Sequence, residues 1–245
     1  MTEPLLVACG LRMNFGGVVA VQDVDILVES GELVCIIGPN GAGKSTLLNL
    51  LSGALKPLAG TIRFAGTEMV GRPMHQYARR GIVRKFQGAS TFQWMTARDN
   101  LLVAGLGVAA NSSGGLPDIG EALQTIGLLP QADTIAEALS HGQRQWLEIG
   151  MTLMCQPKLL LLDEPTAGMT VEGSRTMADL IQRLKGRFAT IVIEHNMGFV
   201  ERLDCRTLVM HQGQVICEGR FADLTQDSRV RDVYLGRPLR DASDR

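Results

Sequence analysis

The chain has 245 residues, 45% of them apolar, a net charge of −1 and only 4% aromatics. That is enough chain and apolar content for a real core. The balanced, scattered charge gives no argument for a nucleic-acid partner, and the scarcity of aromatics argues against a stacking platform for bases. Five cysteines without a C-x-x-C pair read as small buried hydrophobes in a reducing compartment rather than a disulfide framework or metal site. Met1-Thr2-Glu3-Pro4 has no basic run and no apolar segment after it, and no run of about 18 apolar residues occurs anywhere. A cytoplasmic protein is expected, able to sit on a membrane partner.

In chain order, Leu5-Leu6-Val7 opens a strand. Val24, Ile26 and Val28, interleaved with Asp25 and Leu27, predict a half-buried strand. Glu29–Glu32 turns the chain into a buried strand, Val34–Ile37. The next eight residues, Gly38-Pro39-Asn40-Gly41-Ala42-Gly43-Lys44-Ser45, fit G-x-x-x-x-G-K-[ST]. The glycines let the backbone curl so that N–H groups point at phosphate oxygens. Lys44 brings positive charge to the terminal phosphates, and the Ser45 hydroxyl suits Mg²⁺, which prefers oxygen ligands. Leu47, Leu48, Leu51 and Leu55 predict a helix over Ser45–Leu55, whose N-terminus faces the phosphates. Lys56–Gly60 breaks the chain, Thr61–Phe64 returns to strand and Ala65-Gly66 turns it.

From Met74 to Pro157 the pattern reads as helical, with a loop at Asn111–Gly115 and helices over Glu121–Leu128 and Leu139–Met154. Leu159–Leu162, four leucines in a row, predict a strand buried on both faces, as in a parallel sheet. A helix follows over Gly173–Lys185 and a buried strand over Ala189–Glu194. Thr207–Met210 and Val215–Cys217 bracket Gln212-Gly213 as a hairpin, and the tail from Gln226 is polar. Alternation of buried strands and helices means α/β with a mainly parallel sheet. Ligands of such sheets bind at the carboxyl ends of the strands. The glycine-rich loop, Asp163-Glu164 and Glu194-His195 all directly follow buried strands, so they are expected to converge on one rim.

Asp163 ends the four-leucine strand, where a carboxylate can hold Mg²⁺ through water, opposite Ser45; the alternative is a helix cap or turn residue. Glu164 suits general-base or water-orienting work on the terminal phosphate, or is a solvated acid. His195 either hydrogen-bonds the γ-phosphate or is structural. Gln87, in Arg84-Lys85-Phe86-Gln87, is a surface amide or a neutral group between water and Mg²⁺. Ser140, in Leu139-Ser140-His141-Gly142-Gln143, is a good N-cap, and the free N–H groups there can receive a phosphate.

Taken in order, Gly38–Ser45, Gln87, Leu139–Gln143, Leu159–Glu164 and His195 resemble the ATP-binding cassette (ABC) ATPases, over essentially residues 5–235. The resemblance implies the P-loop ABC ATPase fold as a single domain. Residues 1–87 and 156–235 form a RecA-like core with an antiparallel β lobe, 88–155 form a helical lobe, and 236–245 are a tail. It makes Gly38–Thr46 the Walker A loop, Gln87 the Q-loop glutamine and Ser140, His141, Gly142 and Gln143 the signature that meets a partner's ATP. Asp163 becomes the Walker B aspartate, Glu164 the catalytic glutamate and His195 the switch histidine. Lys44 and Gln87 join the catalytic set, with Mg²⁺ on Ser45, Gln87 and Asp163. Phe15 stands where the family stacks an aromatic on adenine, although it also reads as a core aromatic.

Asn14-Phe15-Gly16-Gly17, Lys85-Phe86-Gln87, Ser140–Gly150 and Ala167–Thr170 further resemble the ATPase subunits of branched-chain-amino-acid-type importers, the urea and short-amide branch fitting best. That implies ATP and Mg²⁺ as cofactors, separate transmembrane permease subunits, a second cassette (a paralogue favoured over an identical copy), a solute-binding protein, and a place on the cytoplasmic face of the membrane. Two other readings are a soluble ABC ATPase acting on DNA or ribosomes and a non-hydrolysing nucleotide-gated module. The chain departs from the family pattern twice. His141 replaces a glycine, and Ala167-Gly168-Met169-Thr170 lacks the usual aspartate, which puts the usual contact across the dimer in question.

Overall fold

Apolar strands that alternate their side chains between two packed faces set the architecture. The computed structural model describes residues 3–85, 91–109 and 115–234. Gln87, most of the Asn111–Gly115 loop and the 236–245 tail lie outside the described residues. In chain order the elements are β1 (Leu6–Phe15), β2 (Val18–Val28), β3 (Leu33–Ile37), α1 (Lys44–Leu51), β4 (Ala59–Phe64), β5 (Thr67–Glu68), α2 (Met74–Arg80) and β6 (Ile82–Lys85). There follow α3 (Ala97–Ala109), α4 (Ile119–Thr125), α5 (His141–Met154), β7 (Leu159–Asp163), α6 (Val171–Leu184), β8 (Ala189–Ile193) and α7 (Met197–Leu203). β9 (Arg206–His211), β10 (Gln214–Arg220), α8 (Phe221–Leu224) and α9 (Ser228–Tyr234) complete the chain.

Two sheets form. β2-β1-β4-β5 is antiparallel, and β10-β9-β3-β8-β7-β6 is parallel except for its edge strand β10. The α1 leucines, Leu47 to Leu51, pack in one cluster with the inner face of the antiparallel sheet and with Ile36, Leu159, Leu161, Ile191 and Ile193 of the parallel sheet. Leu160, Leu162 and Val192 point the other way, onto Met177, Ile181 and Val200 of α6 and α7. β7 is therefore buried on both faces, and each of its leucines contributes roughly 1.5–3 kcal/mol. α3, α4 and α5 share a third cluster around Leu101, Leu123, Ile126 and Leu147.

Four expectations need correction. The helical reading of 74–157 overran β6, a four-residue strand that pairs in parallel with β7. Gly81 ends α2 at φ +100, and its carbonyl accepts from both Lys158 and Leu159, which draws the next residues into the sheet. The helix after the glycine-rich loop stops at Leu51 rather than Leu55: Gly53 turns at φ +73, where a Cβ would press on the Tyr77 ring at 2.5 Å. α9 interrupts the polar tail, held by buried Val230 and Val233. Cys9 is exposed on β1, unlike Cys35 and Cys205.

Candidate functional site

Strand register brings the motifs together. In the adjacent parallel strands β3, β8 and β7, Ile36 pairs with Ile193 and Ile193 with Asp163. Gly38, Glu164 and Glu194-His195 therefore leave the sheet along one edge.

The Gly38–Ser45 loop is fixed from outside as well as by its glycines. A Cβ on Gly38 (φ +151) would strike the Met210 carbonyl, and one on Gly43 (φ +98) the Ala20 carbonyl. Gly213 N donates to Ala42 O at 3.0 Å, and Gln22 N to Gly213 O at 2.8 Å, so β2 and the β9–β10 turn hold the loop. No side chain caps α1 at Gly43, which leaves its first N–H groups available to an anion. Lys44 is buried, and its Nζ donates to Gly38 O at 2.8 Å and Pro39 O at 2.9 Å. Burial lowers its pKa, and the charges of Glu164 and Asp163 act against that shift. Pro39, Asn40 and Gly41 line the rim, with Ser45 exposed and Thr46 half-buried behind it. Phe15 ends β1, half exposed, on the hairpin whose returning strand supplies Ala20 to the loop.

The Asp163 side chain is fully buried. Its Oδ2 accepts from Arg84 Nη2 at 3.1 Å, while Oδ1 has no protein partner among the described residues. Burial raises its pKa; the Arg84 charge opposes this, the Glu164 charge adds to it, and hydrogen bonds from Arg84 and Ser45 lower it. Glu164 sits at φ +48, an uncommon backbone for a side-chain-bearing residue, with its N–H on Ile193 O at 2.9 Å. Its Oε1 lies 3.6 Å from His195 Nδ1.

Two participants were not assigned from sequence. Glu194 is wholly buried and accepts from Thr166 N (3.0 Å), Thr166 Oγ1 (2.5 Å), His195 N (3.0 Å) and Asn196 N (3.3 Å). It staples the loop after β7 to the loop after β8, which brings Glu164 and His195 together. An acid directly before a candidate histidine was the available signal. Arg84 was quoted only as context for Gln87, yet it orients Asp163.

Ser140 caps α5 in a reciprocal box: Gln143 N donates to Ser140 Oγ at 3.2 Å and Ser140 N to Gln143 Oε1 at 2.9 Å. Gly142 faces open space, and the His141 ring turns toward Ala167. Among the described residues, no hydrogen bond of Ser140–Gln143 reaches the chain's own Gly38–Ser45 loop. Thr170, at the place of the missing aspartate, is the N-cap of α6, accepting from Gly173 N at 3.1 Å. No helix among the described residues is long and apolar enough to cross a membrane.

Residues 21–167 match the family described as ABC transporter. The chain is 37% identical to the high-affinity branched-chain amino acid transport ATP-binding protein LivG of Salmonella typhimurium, over 96% of this chain and 99% of that protein. It is 35% identical to BraF of Pseudomonas aeruginosa, a protein of the same description, with the same coverage. The crystal structure of the ADP conformation of MJ1267, an ATP-binding cassette of an ABC transporter, superposes with a TM-score of 0.84 at 30% identity, covering 96% of this chain and all of that one. With a glycine-rich loop, a buried aspartate and a glutamate–histidine pair on one sheet edge, and with relatives matched end to end, the chain belongs to the ABC transporter family as an ATP-binding, ATP-hydrolysing cassette.

Proposed function

We propose that this cassette powers an importer for branched-chain amino acids, or for urea and short amides, from the cytoplasmic face of the membrane. The observation that carries the hydrolytic part is the Glu164–His195 approach of 3.6 Å beside the Gly38–Ser45 loop. The branched-chain amino acid reading rests on what LivG and BraF are described as serving, and the urea and short-amide reading on the motifs at 14–17, 85–87, 140–150 and 167–170; the relatives' transport role favours an importer over a cassette acting on DNA or ribosomes.

In this reading the backbone N–H groups of Gly38–Thr46 and Lys44 bind the triphosphate, and Phe15 stacks on adenine. Glu164 takes a proton from the attacking water, a role worth typically ~10²–10⁴-fold. His195 hydrogen-bonds the γ-phosphate and is held on its mark by Glu194. Mg²⁺ would be held by Ser45, by the buried Oδ1 of Asp163 through water, and by Gln87. The oxygen-rich donor set fits a hard cation. Among the described residues no group of three His, Cys, Asp or Glu side chains could hold an ion without the phosphates. When bound, the ion supplies positive charge to the β- and γ-phosphate oxygens.

Two cassettes, this chain and a paralogue, close head to tail so that Ser140–Gln143 of one meets the ATP on the other. ATP favours the closed pair, and loss of the γ-phosphate releases it. Residues 88–155 act as the helical lobe against separate permease subunits, with a solute-binding protein delivering cargo to them. Residues 1–87 and 156–235 act as the core and β lobe.

Uptake in cells lacking the chain tests this. Labelled leucine or labelled urea uptake should fall and return with the wild-type chain but not with Lys44→Ala. Unchanged uptake of both solutes would exclude the proposed cargo.

A further inference from the structure

The two departures from the family pattern meet in space. His141 Nε2 lies 3.3 Å from the Ala167 carbonyl oxygen and 3.0 Å from Gln145 Nε2. Gln145 Nε2 donates to the same carbonyl at 2.6 Å. His141 and Gln145 stand one turn apart on α5, on one face. The two hydrogens of the Gln145 amide serve the carbonyl and an unprotonated ring nitrogen together, which assigns the His141 proton to Nδ1. The ring also covers Gly168, whose φ is +73; a Cβ there would come within 2.9 Å of His141 Nε2. A glycine at 141 would remove the ring from over Gly168 and take away the acceptor that, with the Ala167 carbonyl, orients the Gln145 amide.

The clasped segment starts at Glu164. Ala167 N donates to Glu164 O at 3.1 Å, Met169 N to Thr166 O at 3.0 Å, and Thr166 is bound to Glu194. Beyond it, Thr170 is committed to capping α6. The loop that carries Glu164 at one end is therefore held to the first turn of the signature helix within the same chain.

We propose that His141 is a positioning residue that, by orienting the Gln145 amide and covering Gly168, clasps the 164–170 loop to the signature end of α5, so that the signature facing the partner's ATP and the chain's own Glu164 move as one unit. The intrachain clasp takes the place of the contact that the absent aspartate would make across the dimer. The inference rests on the ATPase reading above.

Two variants of the full chain, His141→Gly and His141→Gln, test it. The glutamine amide oxygen can accept from Gln145 as the ring nitrogen does. The first readout is hydrogen exchange at the Ala167 and Met169 amides without nucleotide. The expected result is about tenfold faster exchange in His141→Gly, the change that one modest hydrogen bond can make, with wild-type exchange in His141→Gln. The second readout is ATP turnover in the assembled transporter. His141→Gly should lower kcat about tenfold, and His141→Gln should restore it. Wild-type exchange and kcat in His141→Gly, or failure of His141→Gln to restore either, would overturn the clasp. A wild-type chain that binds ATP without hydrolysing it would instead overturn the ATPase reading, and the exchange result would stand apart from it.

Discussion

The buried ion pair between Lys85 and Glu148 joins the strand that leads to Gln87 with the helix that begins at the signature. Nζ and Oε2 are 2.9 Å apart, with side chains 8% and 9% exposed. At an effective dielectric near 20 their attraction is about 6 kcal/mol. Taking each ion out of water costs several kcal/mol, so the pair as a whole is close to break-even against an apolar pair. Losing one member is different. Glu148→Leu removes the carboxylate that faces the buried ammonium and should cost about 3–5 kcal/mol. For a chain of this size that lowers Tm by roughly 6–20 °C. Lys85→Met combined with Glu148→Leu should recover most of the loss, to within about 1 kcal/mol of wild type. Thermal melts followed by circular dichroism on the three proteins give the cycle. If Glu148→Leu alone stays within about 1 kcal/mol of wild type, the pair carries no buried charge that needs an answer, and the reasoning fails.

Thr166→Val removes the hydroxyl donor of the Glu194 staple, a hydrogen bond to a buried charge. It should cost about 1.5–3 kcal/mol, read as a Tm lower by roughly 3–12 °C; an unchanged Tm would contradict the staple. Tyr77, whose hydroxyl donates to Met69 O at 2.9 Å, has its pKa raised by burial to about 12. The folded value exceeds the unfolded value of about 10, so the associated stability is complete below pH 10 and is lost as pH climbs through 12, about 2–3 kcal/mol in all. In urea melts the wild type should lose that amount relative to Tyr77→Phe across the window; parallel curves would refute the assignment. Lys44→Ala should weaken ATP binding by at least about tenfold in a nucleotide titration, some 1.4 kcal/mol, whereas tight binding retained would contradict the phosphate role of Lys44.

Legibility in the sequence followed local density of signal. The Gly38–Ser45 loop was readable because every position has a backbone or charge requirement, and the Leu159–Leu162 strand because four leucines before two acids fit only a strand buried on both faces. β6 was not readable. Ile82–Lys85 is too short to display a period, and its strand state comes from pairing with β7 across a separation of about 77 residues. α7 was also missed: its seven residues follow a strand after a three-residue connection, and its Asn196 cap sits beside a histidine that drew the attention. Within the site, the residues that touch phosphate in this reading announced themselves by motif. Those that hold them, Glu194 and Arg84, act through contacts 28 and 79 residues away in sequence. His141 read as a departure from a pattern, and only the fold shows what its ring rests on.

The central claim is that strand ends far apart in sequence build one hydrolytic centre, with Glu164 activating water. Glu164→Gln keeps the shape and removes the charge. ATP binding and steady-state ATP release of phosphate should be measured side by side on this variant and the wild type, in the assembled transporter. The account predicts ATP affinity within about threefold of wild type and turnover lower by roughly 10²–10⁴-fold. Equal turnover in the two proteins would contradict it.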